Sequence, residues 1–276
     1  MKRRFIQVDV FGETPYRGNP LAVVVDAEGL TTAAMQKFAK WTNLSETTFL
    51  LPPTQASADY KVRIFTPTEE LPFAGHPTLG SAHAWLANGG ASNSEDIVIQ
   101  ECGVGLVTVR RNGNLLSFAA PPLLRSGPVD EALILEAAMS LGITRTSIID
   151  AAWIDNGPGW LGILLASAQE VLAIQPNAMK LTLGVAGAYS PQSKFAYEVR
   201  AFYSSNGITF EDPVTGSLNA SLAQWLIHSG RFSAPYLASQ GTAIGYAGVV
   251  HIEADTSHDI WIGGNVVTCI TGDVEL

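Results

Sequence analysis

Tyr60-Lys61-Val62-Arg63-Ile64-Phe65 returns 137 residues later as Tyr197-Glu198-Val199-Arg200-Ala201-Phe202, a spacing of almost half the 276-residue chain. Tyr-x-Val-Arg-x-Phe on its own is an ordinary alternating strand. The residues downstream of each copy make it a repeat: a Pro-containing turn, a Thr, a Gly-Ser pair and a helical pattern. These run as Phe73-Ala74-Gly75-His76-Pro77-Thr78-Leu79-Gly80-Ser81 in the first half and Glu211-Asp212-Pro213-Val214-Thr215-Gly216-Ser217 in the second. Two equivalent lobes are expected. If they face each other, each brings a Gly-rich turn and a helix N-terminus to one cleft, where unpaired N–H groups suit a small acid.

The rest of the chain reads outward from this pair. Alternation marks strands at Phe5–Phe11, Ala22–Asp26, Thr47–Leu51 and Tyr60–Thr66, with a helical stripe of Ala34, Met35, Phe38, Ala39 and Trp41 between the second and third. A helix is expected over Thr78–Asn88, ended by Gly89-Gly90. Val104–Arg110 and Leu115–Ala119 flank Asn112-Gly113, which predicts a hairpin with both of these residues at positive φ. The prolines from Pro121 to Pro128 read as the crossing between lobes. A helix at Glu131–Leu141 follows, then strands at Ile148–Ile154, Leu161–Ala166 and Tyr197–Phe202, and a helix from Gly216 to Ser229. Final strands are expected at Val249–Glu253, Asp259–Ile262 and Val266–Thr271. Strands clustered around one or two helices per half describe an α+β architecture. The lobes divide as 1–120 and 121–276, with the last strand free to return to the N-terminal lobe.

Composition narrows the function classes. With 16 basic and 25 acidic residues the net charge is −9, and Lys2-Arg3-Arg4 is the one basic cluster, so nucleic acid is a poor partner. The apolar stretch Trp160–Ala168 is far short of the roughly 20 residues that cross a bilayer. No targeting segment is visible and no membrane partner is expected. Cys102 and Cys269 are the only cysteines and have no metal-type spacing, which fits a reducing cytoplasm.

Three segments carry chemistry. Glu46, in Asn43-Leu44-Ser45-Glu46-Thr47-Thr48-Phe49, enters an apolar strand from a polar turn; partial burial there would suit it to proton exchange near neutral pH, although a cap or an edge charge would look the same. His76, in Gly75-His76-Pro77-Thr78, stands on one duplicated turn, where Gly75 allows close backbone approach and the imidazole can donate, accept or shuttle a proton. Asp212 stands on the other turn and suits an amino or hydroxyl group. The amides of Gly216 and Ser217 suit a carboxylate, and helix capping by Asp212 or Thr215 fits the same residues.

Other signals carry less. Gly157-Pro158-Gly159-Trp160-Leu161-Gly162 fits G-x-G-x-x-G, but Pro158 removes an amide donor and a strand follows it, which argues against a dinucleotide. The histidines lack a third ligand, so no metal is expected. There is no G-x-S-x-G elbow, and neither cysteine lies on a duplicated turn.

These residues together resemble the PhzF family of phenazine-biosynthesis-like isomerases, which has the fold of diaminopimelate epimerase. The resemblance runs from Val8-Asp9-Val10-Phe11, Gly18-Asn19-Pro20 and Ala22-Val23-Val24 through Leu44-Ser45-Glu46-Thr47, Arg63-Ile64-Phe65-Thr66-Pro67, Glu70 and Gly75-His76. It continues through Asp212-Pro213-Val214-Thr215-Gly216-Ser217, Gln240-Gly241 and Gly263-Gly264-Asn265. It implies two pseudo-symmetric lobes, each a barrel-like mixed sheet around a helix, with the site between them, a homodimer, and no metal or organic cofactor. Glu46 is implied as the acid/base, with His76 and Asp212 beside it in the catalytic set and Asn19, Gly75, Gly216 and Ser217 in substrate binding. Where many relatives carry a Gly-Arg-Pro turn after Gln-Gly, this chain has Gly245-Tyr246-Ala247, which weakens transfer of any particular substrate.

The pattern reads as an isomerase that moves a proton on a small cyclic carboxylate or amino acid. The alternatives are a two-base racemase or epimerase using Glu46 and Asp212, and a non-catalytic metabolite-binding or interaction protein.

Overall fold

The computed structural model describes residues 1–92, 94–205 and 207–276. It divides into two units, residues 1–119 with 263–276 and residues 120–262. The first unit opens with β1 (Lys2–Val10), β2 (Asn19–Val24), α1 (Thr32–Thr42), β3 (Thr47–Leu51), β4 (Tyr60–Phe65) and β5 (Glu70–Leu71). It continues through α2 (Gly75–Ala87), β6 (Ile97–Cys102), β7 (Gly105–Asn112) and β8 (Leu115–Ala119). The second contains β9 (Arg125–Pro128), α3 (Glu131–Leu141), β10 (Asp150–Asp155), β11 (Leu161–Leu165), α4 (Ala168–Ala173) and β12 (Leu183–Ala188). After these come β13 (Tyr197–Ser205), β14 (Ile208–Asp212), α5 (Gly216–His228), β15 (Tyr236–Gln240) and β16 (Gly248–Ala254). The last strand, β17 (Ile260–Glu275), begins in the second unit and ends in the first.

In the first unit the strands close on themselves in the order β1, β2, β3, β4, β6, β7, β8, β17 and back to β1. Closure removes the exposed edges that an open sheet leaves. The pairs β2–β3 and β4–β6 are parallel. Inside sits α2, whose residues from Gly75 to Ala82 are all buried. A helix apolar or small on every side has no solvent face to present. Gly80 lets it approach the wall: a Cβ there would lie 2.5 Å from Leu21 Cδ2. On the outside, α1 packs Met35, Phe38 and Ala39 against Val24, Phe49 and Phe65.

The second unit repeats the pairings in order and polarity. β9–β10 and β10–β11 are antiparallel, β11–β12 parallel, β12–β13 antiparallel, β13–β15 parallel and β15–β16 antiparallel. The chain is therefore α+β, two pseudo-symmetric barrel-like units each with a 13-residue helix that starts at a glycine, α2 and α5. An Arg–Glu pair repeats with them: Arg63 grips Glu70 through Nε and Nη2 at 2.7 and 2.6 Å, and Arg200 grips Glu211 the same way at 2.9 and 2.7 Å.

Several local expectations are corrected. The strands repeat at 137 residues but the helices at 141, since the β13–β14 hairpin is four residues longer than β4–β5. Gly216-Ser217 therefore matches Gly75-His76, not Gly80-Ser81. The helix expected from Thr78 begins at Gly75, because Pro77 lies in the first turn, where no N–H is required. The β7–β8 hairpin forms, but Asn112 pairs with Leu115, so Gly113 and Asn114 make the turn and only Gly113 takes positive φ, 61°. The two final strands are one, because Gly263 and Gly264 continue the extended backbone. A Cβ on Gly264 would lie 2.2 Å from Phe11 Cδ1, so only glycine fits there.

Candidate active site

In the first unit Glu46 stands one residue before β3. The chain reaches it from α1 through Asn43, whose left-handed backbone (φ 55°, ψ 29°) ends the helix. A hydrogen bond of 2.9 Å between the Thr42 and Thr47 hydroxyls closes the turn around it. The Glu46 side chain is 16% exposed, and its Oε2 lies 3.3 Å from Nε2 of His76, itself 7% exposed. Burial lowers the His76 pKa to about 3, so the ring is neutral near physiological pH. The contact is thus between a neutral imidazole and a carboxyl group.

His76 is held by where α2 begins. Its helix has no side-chain cap at Ala74. Thr78 Oγ1 donates to Ala74 O (2.9 Å) and accepts from Gln100 Nε2 (3.0 Å), which fastens the first turn to β6. Asn19, the buried first residue of β2, follows a loop that Asp9 pins: Asp9 Oδ2 accepts from the Arg17 and Gly18 amides at 2.7 Å each. A Cβ on Gly18 would fall 2.2 Å from Val10 O, so the tight approach demands glycine.

In the second unit Asp212, Gly216 and Ser217 share one turn. Thr215 stands at the N-cap position of α5, yet its side chain does not cap the helix. Instead Thr215 Oγ1 donates to Asp212 Oδ2 at 2.5 Å and accepts from Gln240 Nε2 at 2.9 Å. Gln240 Oε1 accepts from Thr215 N and Asn219 Nδ2 at 3.0 and 2.8 Å, and its Nε2 also donates to Asp212 O at 3.1 Å. Each unit thus fastens the start of its central helix with a glutamine from a neighbouring strand, Gln100 of β6 on Thr78 and Gln240 of β15 on Thr215 and Asn219, although the two glutamines differ by two residues in strand register. For Thr215 the capping role read from the sequence is corrected, because Gln240 and Asp212 satisfy its hydroxyl. The Thr215 side chain thus leaves the first N–H groups of α5 uncapped, and a helix start of that kind suits an anion.

The structure thus brings Glu46 onto His76, and sets Asp212, Gly216 and Ser217 on one turn. Sequence reasoning missed Asn156 and Trp160, which both hydrogen-bond to Ser217. It also missed the clamp by Gln240, although Gln240-Gly241 belongs to the family resemblance. Among the described residues no group of three or more His, Cys, Asp or Glu side chains gathers as a metal site. No described helix is long and apolar enough to cross a membrane.

Comparison with known proteins places these features in a family. The profile described as phenazine biosynthesis-like protein matches residues 8–272. Antisense-enhancing sequence 1 of Schizosaccharomyces pombe is 36% identical, with 97% of each chain covered. The trans-2,3-dihydro-3-hydroxyanthranilate isomerase of Pseudomonas fluorescens is 32% identical, with 99% of each covered. Among solved structures, a PhzF-family phenazine biosynthesis protein of Enterococcus faecalis aligns over 100% of both chains with a TM-score of 0.80 and 27% identity. A match across nearly the whole chain, from the Asp9 loop to β17, shows that the protein belongs to the phenazine biosynthesis-like (PhzF) family.

Proposed function

We propose that this isomerase moves a proton between carbon positions of a small cyclic carboxylate or amino acid, with Glu46 as the acid/base. One observation carries the reading: the Glu46 carboxyl is mostly buried against an imidazole that burial keeps neutral. An imidazolium at 3.3 Å would hold the carboxylate ionised, whereas a neutral ring leaves it able to take a proton and give it back. A neutral ring can also face either protonation state, donating to a carboxylate or accepting from a carboxylic acid. The reading asks for no group beyond these side chains.

In the second unit we assign Asp212 to an amino or hydroxyl group, and the Gly216 and Ser217 turn to a carboxylate. In the first unit we assign Asn19 and Gly75 to substrate binding. Dihydro-hydroxyanthranilate is the substrate we favour, because the Pseudomonas fluorescens relative acts on it by name.

The test is turnover of trans-2,3-dihydro-3-hydroxyanthranilate in deuterated water by the wild type and by Glu46→Gln. The wild type should place solvent deuterium on a product carbon. The variant should bind within a few-fold of wild type and turn over about 10²–10⁴-fold more slowly, the usual range for a lost general acid–base group. Undiminished turnover would remove Glu46 from the mechanism.

A further inference from the structure

The segment Asn156-Gly157-Pro158-Gly159-Trp160, whose glycine spacing imitates a dinucleotide fingerprint, serves Ser217. Asp155 ends β10, and its Oδ1 accepts from the amides of Gly157 (2.7 Å) and Gly159 (2.6 Å), so one carboxylate oxygen closes the loop. Two side chains from this loop reach the first turn of α5. Asn156 Nδ2 donates to Ser217 O at 3.0 Å, and Trp160 Nε1 donates to Ser217 Oγ at 3.1 Å. Trp160 is 3% exposed, so surrounding groups hold its ring.

The facing carbonyl settles the orientation of the Asn156 amide, since only the nitrogen side can donate to Ser217 O. Its Oδ1 is then buried with no hydrogen-bond partner. Leaving such an acceptor unsatisfied costs on the order of 1–3 kcal/mol. The side chain is held for the bond its nitrogen makes.

The indole has a directional effect on Ser217. A hydroxyl has one hydrogen to donate and two lone pairs. The indole N–H can only donate, so it occupies a lone pair and turns the hydroxyl hydrogen away from itself. Ser217 thereby presents an O–H donor next to the N–H groups of a helix start that its N-cap residue, Thr215, does not cap. Donors of this kind favour an acceptor carrying negative charge.

We propose that Trp160 and Asn156 are positioning residues that set Ser217 as a hydrogen-bond donor, and so make this subsite select a carboxylate over its neutral ester. The proposal rests on the reading that Ser217 contacts the substrate.

Calorimetric titration with anthranilate and methyl anthranilate tests it without turnover, using the wild type, Trp160→Phe, Asn156→Ala, Ser217→Ala and the Trp160→Phe/Ser217→Ala double variant. Phe keeps an aromatic ring, smaller than the indole, and removes the N–H; the Asn156 variant leaves the indole in place and serves if Trp160→Phe does not fold. Ser217→Ala should weaken anthranilate by about tenfold or more, as for a lost hydrogen bond to a charged group. Trp160→Phe and Asn156→Ala should each weaken it by a smaller factor, leave the ester unchanged, and add little in the double variant. If Ser217→Ala weakens the acid and neither Trp160→Phe nor Asn156→Ala does, the positioning role is overturned and the Ser217 contact stands. If Ser217→Ala leaves the affinity unchanged, the contact itself is wrong and the proposal falls with it. Equal affinity of the wild type for acid and ester would overturn the carboxylate assignment.

Discussion

His76 is the second residue of a helix enclosed by strands, and that position removes it from water before any partner acts on it. Burial lowers its pKa to about 3, against about 6.5 in an unfolded chain. Between those values the unfolded chain takes up a proton that the folded chain refuses, so acid favours unfolding. Stability is full above about pH 6.5 and falls by about 1.4 kcal/mol for each pH unit below it. His83, also lowered by burial, adds to the slope in any variant that retains it. Glu46 faces the ring and is present in the same comparison. Between pH 6.5 and 5, His76→Asn should therefore lose about 2 kcal/mol less stability than the wild type. Urea unfolding of both proteins at the two pH values measures this, and parallel losses would mean the folded protein protonates His76.

The repeated Arg–Glu pair shows how one element takes on different weight in the two units. Arg63 and Glu70 are 22% and 38% exposed, so water screens their attraction; Arg200 and Glu211 are 5% and 10% exposed. Arg200 also donates through Nη1 to the carbonyls of Val171 and Ile174 at 3.2 and 2.7 Å, satisfying the C-terminal end of α4. Removing Glu211 leaves a buried guanidinium without its carboxylate, whereas removing Glu70 leaves one that water reaches. Glu211→Gln is expected to cost about 3–5 kcal/mol, and Glu70→Gln about 1 kcal/mol or less. Chemical denaturation gives both values. Similar costs would show that the difference in burial does not set what each pair contributes to stability.

For the molecule as a whole, the closing strand comes from the far end of the chain. β17 lies along β1 from Lys2↔Glu275 to Val10↔Val266, so the first unit is completed only by residues that follow the whole of the second. Pairing across such a sequence separation is costly in chain entropy until the barrel closes. Cutting the chain after Ile262 should strip hydrogen-exchange protection from the β1 amides that face β17, and leave an open edge prone to association. Protection of β3 and β4 should fall with it if the barrel unfolds as a unit. Retained β1 protection in the shortened chain would show that β2 alone holds the strand.

Local pattern carried much of this protein. The two lobes, α3 at Glu131–Leu141 and the strands Thr47–Leu51 and Leu115–Ala119 are all legible without a structure, because alternation, helical stripes and Gly/Pro punctuation are properties of neighbouring residues. Glu46, His76, Asp212, Gly216 and Ser217 were legible as candidates from the repeated turns and the family resemblance. β12 was not, since Leu183-Gly184-Val185-Ala186-Gly187-Ala188 is buried almost throughout and has no polar alternation to read. Nor was the continuity of β17 through two glycines. Folding alone decided the 141-residue helix register, the 3.3 Å approach of Glu46 to His76, and the grip of Asn156 and Trp160 on Ser217. Each depends on side chains tens of residues apart being set side by side by strand pairing, and no run of neighbouring residues encodes that distance.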